Sequence, residues 1–136
     1  MGVVIDSNIF IDIERGLIDA DFYLSNLDNN ANIYISVITV SELLHGVHRA
    51  INQNQKLRRS AFVEKIITNI PALPIDTQIA RSHAELNSYL IKKGKKIGLH
   101  DSWIAATCIS LGYDLSTKDM KAFEQIPGLS LIKGIK

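Results

Sequence analysis

Four acidic residues of this chain stand where a catalytic site could form, each beside a predicted strand or helix. They are Asp6, Glu42, Asp101 and Asp119. The first follows the apolar run Val3–Ile5, and the last lies just beyond the run Tyr113–Ser116. The second falls on the helix predicted after the second strand, and the third at the start of another helix. Ligands of open α/β sheets bind outside the carboxyl ends of the strands, so we expect these acids to meet at one edge.

Clustered carboxylates repel one another and raise one another's pKa unless a cation lies between them. Mg²⁺ and Mn²⁺ suit such a cluster, because these hard ions prefer carboxylate oxygen and water as ligands. Ions of this kind make a nucleophile from water and neutralise the charge of a phosphodiester under attack. An Asp at a strand end is also an ordinary helix N-cap, so for each acid taken alone that structural interpretation stays equally open.

Strands alternate with helices along the sequence. Short apolar, β-branched runs predict strands at Val3–Ile5, Ile33–Ser36, Leu73–Ile75, Tyr113–Ser116 and Leu129–Ile132. Pro74 argues that the third of these lies at an edge of the sheet. Helices are predicted after Asp6, from about Thr39, over residues 56–69, from the N-cap Asp76 to Gly94, from Asp101 to Gly112 and from Asp119. The alternation predicts one three-layer α/β domain over residues 1–136, with a mainly parallel central β-sheet flanked by helices.

The composition narrows the class of protein only slightly. Fifteen Lys and Arg against 14 Asp and Glu leave a net charge of +1, which neither predicts nor excludes a nucleic-acid partner. Cys108 is the one cysteine of the sequence, so no intrachain disulfide forms and a reducing cytoplasm is favoured. No signal peptide and no apolar run of about 20 residues is visible, so we expect a cytoplasmic protein without a membrane partner.

Three segments together carry a resemblance to a known family. They read VVIDSN, SVITVSELLHGV and LHDSWIAATCISLGYDLSTKDMKAFEQIPGL. In order and spacing, from residue 3 to about 131, the chain resembles a PIN domain, and in particular the VapC toxins of type II toxin–antitoxin systems. The four family acids fall on Asp6, Glu42, Asp101 and Asp119. Thr117 and Asn8 match the polar positions beside the last and first acids, whereas Lys118 departs from the family's usual Asn or Arg and could alter contacts with substrate.

The resemblance also implies an activity and partners. It implies an endoribonuclease that depends on Mg²⁺ or Mn²⁺ and leaves a 5′-phosphate and a 3′-hydroxyl. The metal ligands would be the four acids, with Thr117 as a further catalytic residue. A homodimer is implied, and so is a cognate antitoxin protein whose C-terminal segment lies in the groove leading to the acids.

Basic residues provide candidate contacts with RNA. The run Lys92–Lys96 comes shortly before Asp101, and it is either a solvated loop or a phosphate-binding rim. We take Lys95, Lys96, Arg58 and Arg59 as the RNA-binding candidates, with Arg49 and Lys56 as further basic residues of the rim.

Several other functions are alternatives to a ribonuclease. Glu42 and His45 form one Glu-x-x-His pair, but a di-iron site needs two. A haloacid dehalogenase-like enzyme needs a second acid where Asn8 stands, and a response-regulator receiver needs a paired acid beside Asp6. A catalytically inactive PIN module that binds RNA or protein is the alternative, and the intact acid set argues against it.

Four further side chains have no predicted role in the reaction. Cys108 and Trp103 are expected in the core, and Asp12 and Glu14 at the exposed surface.

Overall fold

The computed structural model describes residues 2–27 and 30–132. Its strands are β1 (Gly2–Ile5), β2 (Asn32–Ser36), β3 (Ala72–Leu73), β4 (Asp114–Ser116) and β5 (Ser130–Leu131). Its helices are α1 (Ser7–Glu14), α2 (Ala20–Ser25), α3 (Val37–His48), α4 (Gln53–Asn69), α5 (Thr77–Lys92), α6 (Leu99–Leu111) and α7 (Met120–Phe123). The predicted domain of residues 1–136 includes residues 1, 28–29 and 133–136, which lie outside the described part, and its extent stays a prediction.

The strands form a parallel sheet in the order β3-β2-β1-β4-β5. The central strand β1 is buried at every position, as its unbroken apolar run predicts. The parallel sheet and the edge position of the third strand are confirmed. That strand ends at Leu73, because Pro74 has no N–H for the ladder. Parallel strands have their carboxyl ends at the same edge of the sheet. At this edge Ile5 of β1 pairs with Ser116 of β4, next to the predicted site.

Helices cover both faces of the sheet and give the predicted three layers. One core cluster contains Phe10, Tyr23 and Leu43, and the cluster on the other face contains Leu86 and Cys108. Burial raises the pKa of the Cys108 thiol to about 12, so this side chain packs as an apolar group. Within the described ranges, no helix combines the length and apolarity needed to cross a membrane.

Polar caps decide where several helices begin. The carboxylate of Asp76 accepts a hydrogen bond from Ile79 N (2.9 Å), as expected of an N-cap. Helix α3 begins two residues before Thr39, since the hydroxyl of Ser36 caps it. Helix α4 begins at Gln53 rather than at residue 56, because Asn52 caps its first turn. Helix α6 begins at Leu99, which places Asp101 inside its first turn instead of at its start.

Candidate active site

Asp6 lies at the carboxyl end of β1, and its side chain is almost fully buried. One carboxylate oxygen accepts a hydrogen bond from Ser7 N (2.8 Å), and the other accepts one from Thr117 Oγ1 (2.7 Å). Burial raises the pKa of Asp6, and the negative charges of Glu42 and Asp119 raise it further against those hydrogen bonds. Asp6 is therefore a helix cap and a member of an acidic cluster at once.

Asp101 belongs to the same cluster. Its pKa is raised to about 6, first by burial and then by the charges of Asp6, Glu42 and Asp119, while His100 lowers it. Carboxylates influence one another in this way only when they lie close together. The structure thus brings the four predicted acids to one edge of the sheet, although their roles in catalysis stay a prediction.

Glu42 projects from α3 towards the first turn of α6. Its Oε2 atom lies 3.4 Å from Nδ1 of His100. The only sign of this contact in the sequence is that His100 directly precedes Asp101. Its Oε1 atom is buried and has no hydrogen-bond partner among the described residues. A buried carboxylate oxygen without a donor is costly, and a bound cation would satisfy it. The donor set therefore fits a hard divalent ion.

The acids are not arranged as a finished metal site. In residues 2–27 and 30–132, no group of three or more Asp, Glu, His or Cys side chains stands in a set that could hold a metal ion. Repulsion between like charges favours such a spread arrangement. The ligand set implied by the resemblance therefore remains an expectation.

Thr117 lies at the centre of the hydrogen bonds that join the first and last acids. Its hydroxyl donates to Asp6, and it accepts hydrogen bonds from Asn8 Nδ2 (3.2 Å) and from the backbone N–H of Asp119 (3.1 Å). One donor and two acceptor positions exhaust the capacity of a hydroxyl group. Asp119 in turn caps α7 by accepting from Ala122 N (3.3 Å), as the sequence predicts.

The expectation that Asp12 is exposed is wrong. Only 5% of this residue is accessible, and its Oδ2 atom lies 2.7 Å from the ammonium nitrogen of Lys118. Burial of the carboxylate is tolerated because the pair is joined by a hydrogen bond. The side chain of Lys118 is therefore held by α1, which was not expected from the sequence. The companion expectation for Glu14, an exposed side chain, is confirmed.

The predicted RNA-binding residues lie in two places. Lys95 and Lys96 lie in the loop before α6, and the ammonium nitrogen of Lys95 is 5.8 Å from the ring centre of Tyr89. Arg59 donates to the carbonyl of Gly46 (3.0 Å) and lines a groove of about 80 Å³ that includes Glu42. The basic residues of that groove are Arg15, Arg49 and Arg59, and the adjoining depression is lined by Arg15, Arg58 and Arg59.

Arg15 is the member of this groove that sequence reasoning missed. It follows the last turn of α1, where no motif marks it, and only the packing of α1 against α3 and α4 brings it beside Arg59.

Trp103 packs as a structural residue, although it is only partly buried. Its ring stacks on that of His83 with 3.7 Å between their centres.

The raised pKa of Asp101 predicts how the stability of the metal-free protein depends on pH. Between its ordinary value of 3.8 and about 6, Asp101 keeps its proton in the folded state but loses it in the unfolded state. Its contribution to stability is thus present at low pH and is lost as pH rises through about 6. We expect the Asp101→Asn variant to lack this decline. Urea unfolding in EDTA at several pH values between 4 and 7 measures it, and equal pH profiles for both proteins would contradict the assignment.

Comparison with known proteins defines the class to which this fold and site belong. The family model described as PIN domain matches residues 3–129, a range that contains all four acids and ends just before β5. The chain therefore belongs to the PIN domain family.

Several of its relatives are named as VapC ribonucleases. The chain is 36% identical over 132 residues to Ribonuclease VapC1 of Rickettsia felis, covering 97% of this chain and 96% of that protein. It is 32% identical over 103 residues to the tRNA(fMet)-specific endonuclease VapC of Salmonella typhimurium, covering 76% of each. The solved structure of VapBC2 from Rickettsia felis bound to a promoter DNA fragment is similar, with a TM-score of 0.87 and 26% identity. That match covers 97% of this chain and 98% of the solved one.

Proposed function

We propose that this chain is a VapC-type endoribonuclease, the toxin of a toxin–antitoxin pair, and that it hydrolyses RNA in the cytoplasm with the help of Mg²⁺ or Mn²⁺. The names of its relatives support the class of reaction. The observation that carries the dependence on metal is the cluster of four carboxylates with a buried, unpartnered oxygen of Glu42 among the described residues. We further propose that residues 1–136 form a single PIN-like domain.

Asp6, Glu42, Asp101 and Asp119 would hold the ion. When bound, a divalent cation supplies a Lewis acid that lowers the pKa of a coordinated water and shields the charge of the phosphate. The protein's own contribution is to hold the carboxylates in place. Thr117 orients Asp6 through its 2.7 Å hydrogen bond, and the same hydroxyl ties down the backbone of Asp119. His100 stands beside Glu42 at the rim of the site, with Nδ1 3.4 Å from the Glu42 carboxylate.

The path of the RNA follows from the arrangement of charge. The acids repel phosphates, so the strand on either side of the reacting bond needs basic partners. The groove at Glu42 offers Arg15, Arg49 and Arg59, whose planar guanidinium groups suit phosphate oxygens. Lys95 and Lys96, before α6, provide a second rim on the side of Asp101. Single-stranded or looped RNA bends into such a site more readily than a stiff duplex.

A cognate antitoxin is the proposed protein partner. The similar structures are described as VapBC complexes from Rickettsia felis, Haemophilus influenzae and Salmonella typhimurium. We propose that a basic side chain of the antitoxin enters the acidic cluster and competes with the metal ion, since a cation among four carboxylates is well matched electrostatically. We also expect the chain to form a homodimer.

The alternative function is a catalytically inactive PIN module that binds RNA or protein. The observation in its favour is that, within the described residues, no group of three or more Asp, Glu, His or Cys side chains could hold a metal ion as it stands. Binding of RNA without cleavage in any divalent metal would support this alternative.

Cleavage of a labelled, unstructured RNA by the purified chain tests the proposal. We expect products with 5′-phosphates in Mn²⁺ or Mg²⁺, none in EDTA, and none from the Glu42→Gln variant, which loses a carboxylate charge without losing volume. The rate at low RNA concentration should fall as salt rises, because contacts with phosphates release counterions. Cleavage that persists in EDTA, or equal rates for the wild type and Glu42→Gln, would contradict the metal-dependent mechanism.

A further inference from the structure

We propose that Asp12 and Lys118 are positioning residues: their ion pair clamps the loop of residues 117–119 onto α1 and so places Asp119 opposite Asp6. The inference rests on the proposed function, in which Asp119 helps to hold the metal ion. Nothing in the sequence marks this pair, because the two residues are 106 positions apart.

The clamp consists of two contacts from one residue. The ammonium nitrogen of Lys118 lies 2.7 Å from Oδ2 of Asp12, and its backbone N–H donates to Oδ1 of Asn8 (3.1 Å). Asn8 and Asp12 are four residues apart, so they lie on the same face of α1. Lys118 is therefore attached to that helix by both its main chain and its side chain.

A buried acid at this place needs an explanation beyond packing. An apolar side chain would fill the space on α1 without the cost of removing a carboxylate from water. Asp12 is 5% exposed, whereas more than half of the side chain of Lys118 is accessible to solvent. The helix thus contributes a rigid, buried anchor, and the loop contributes the long side chain that reaches it.

The residues on either side of Lys118 belong to the acidic site. Thr117 hydrogen-bonds to Asp6, and Asp119 donates its backbone N–H to Thr117. Asp119 itself is exposed, and the carboxylate is held by the 3.3 Å contact with Ala122 N. The position of its carboxylate relative to Asp6 therefore depends on how firmly the loop is fastened to α1.

The pair acts through geometry rather than through its charge on the acids. Glu42 and Asp119 are the charges that shift the pKa of Asp6, and the charge of Lys118 is not among them. Lys118 instead directs its ammonium group away from the cluster, to Asp12. The two charges of the pair cancel, so removal of both should displace a metal ligand without changing the net charge around it.

Four variants test the clamp. Asp12→Asn removes the negative charge of the pair at constant volume. Lys118→Met removes the positive charge from the loop, and Lys118→Arg preserves it. Glu14→Gln is the matched control, because it removes another carboxylate of α1 that pairs with a base, Arg59 (3.7 Å), and touches no residue of the loop. Amide hydrogen exchange at Lys118 and Asp119, Mn²⁺ affinity by calorimetry, and kcat and KM for RNA are measured well below each melting temperature.

Asp12→Asn and Lys118→Met are each expected to speed exchange at the two loop amides and to weaken Mn²⁺ binding by about tenfold, the usual cost of losing a residue that orients a ligand. The value of kcat should fall by a similar factor while KM for RNA stays unchanged. Lys118→Arg should retain Mn²⁺ affinity, and Glu14→Gln should leave both exchange and Mn²⁺ affinity as in the wild type. The double variant Asp12→Asn/Lys118→Met should lose no more affinity than the weaker-binding single variant, since both residues act through one contact.

A lower melting temperature with unchanged Mn²⁺ affinity and kcat would show that the pair is merely structural and would overturn the inference. Unchanged exchange at both loop amides would do the same. If Asp12→Asn does not fold, Lys118→Met still decides the question, because it alters only an exposed side chain. The proposed function fails separately, when the wild type neither binds Mn²⁺ nor cleaves RNA; the exchange experiment then still reports whether the clamp exists.

Discussion

Replacement of Asp6 by Asn is expected to abolish RNA cleavage while leaving the metal-free protein at least as stable as the wild type. The amide oxygen of Asn can still accept the hydrogen bond from Ser7 N, and the hydroxyl of Thr117 can accept from the amide nitrogen if it gives up the longer, 3.2 Å hydrogen bond from Asn8 Nδ2. The substitution also removes a buried carboxyl group, whose pKa is raised by burial and by the charges of Glu42 and Asp119. The metal-free fold therefore exchanges one side-chain hydrogen bond at Thr117 for relief from repulsion and from burial of a charge.

The response to metal separates a ligand from a helix cap. At about a hundredfold excess of Mn²⁺ over its dissociation constant, the wild type should gain about 2.7 kcal/mol of stability, and Asp6→Asn much less. Thermal melts of both proteins with EDTA and with Mn²⁺ measure the difference. Asp76→Asn is the control, because Asp76 also caps a helix, α5, through its carboxylate and lies outside the acidic cluster. Equal metal-induced shifts in wild type and Asp6→Asn would refute the assignment of Asp6 as a ligand.

Removal of the guanidinium groups of Arg15 and Arg49 is expected to weaken RNA binding by about a hundredfold or more. Each charge-assisted hydrogen bond to a phosphate contributes roughly 1.5–3 kcal/mol, and about 1.4 kcal/mol corresponds to a factor of ten. Both side chains line the groove at Glu42, and neither forms an ion pair within residues 2–27 and 30–132. Their replacement by Ala should therefore raise KM for RNA and leave Mn²⁺ affinity unchanged.

The dependence of binding on salt provides the control for this double variant. Loss of two phosphate contacts should reduce the slope of log affinity against log salt by about 1.4 for a single strand. Lys95→Ala/Lys96→Ala tests the second rim in the same assay, and we expect weaker RNA binding with intact Mn²⁺ affinity there too. Arg81→Ala, an exposed base of α5 that lines neither the groove nor the adjoining depression, should change neither quantity. An unaltered salt slope in the Arg15/Arg49 variant would show that these residues face only solvent.

Much of the fold follows from local signals in the sequence. The apolar, β-branched run Val3–Ile5 predicts a strand buried on both faces, and Asp76 and Gly112 mark helix ends, because these preferences act over a few residues. The predicted starts of α3 and α4 lie too late in the sequence, because the N-caps of these helices are Ser36 and Asn52. The order and spacing of three segments, VVIDSN, SVITVSELLHGV and LHDSWIAATCISLGYDLSTKDMKAFEQIPGL, also carry the resemblance to the family, which the match over residues 3–129 confirms.

Tertiary packing decided how these residues work together. Asp12 was predicted to be exposed because nothing near it in sequence explains a buried carboxylate; its partner Lys118 reaches it only after the sheet sets β4 beside β1. Arg15 and Arg49 likewise share a groove only because the ends of α1 and α3 meet over α4. The shared pKa shifts of the acids have the same origin, since Coulomb interactions depend on separation in space, which a linear spacing does not determine.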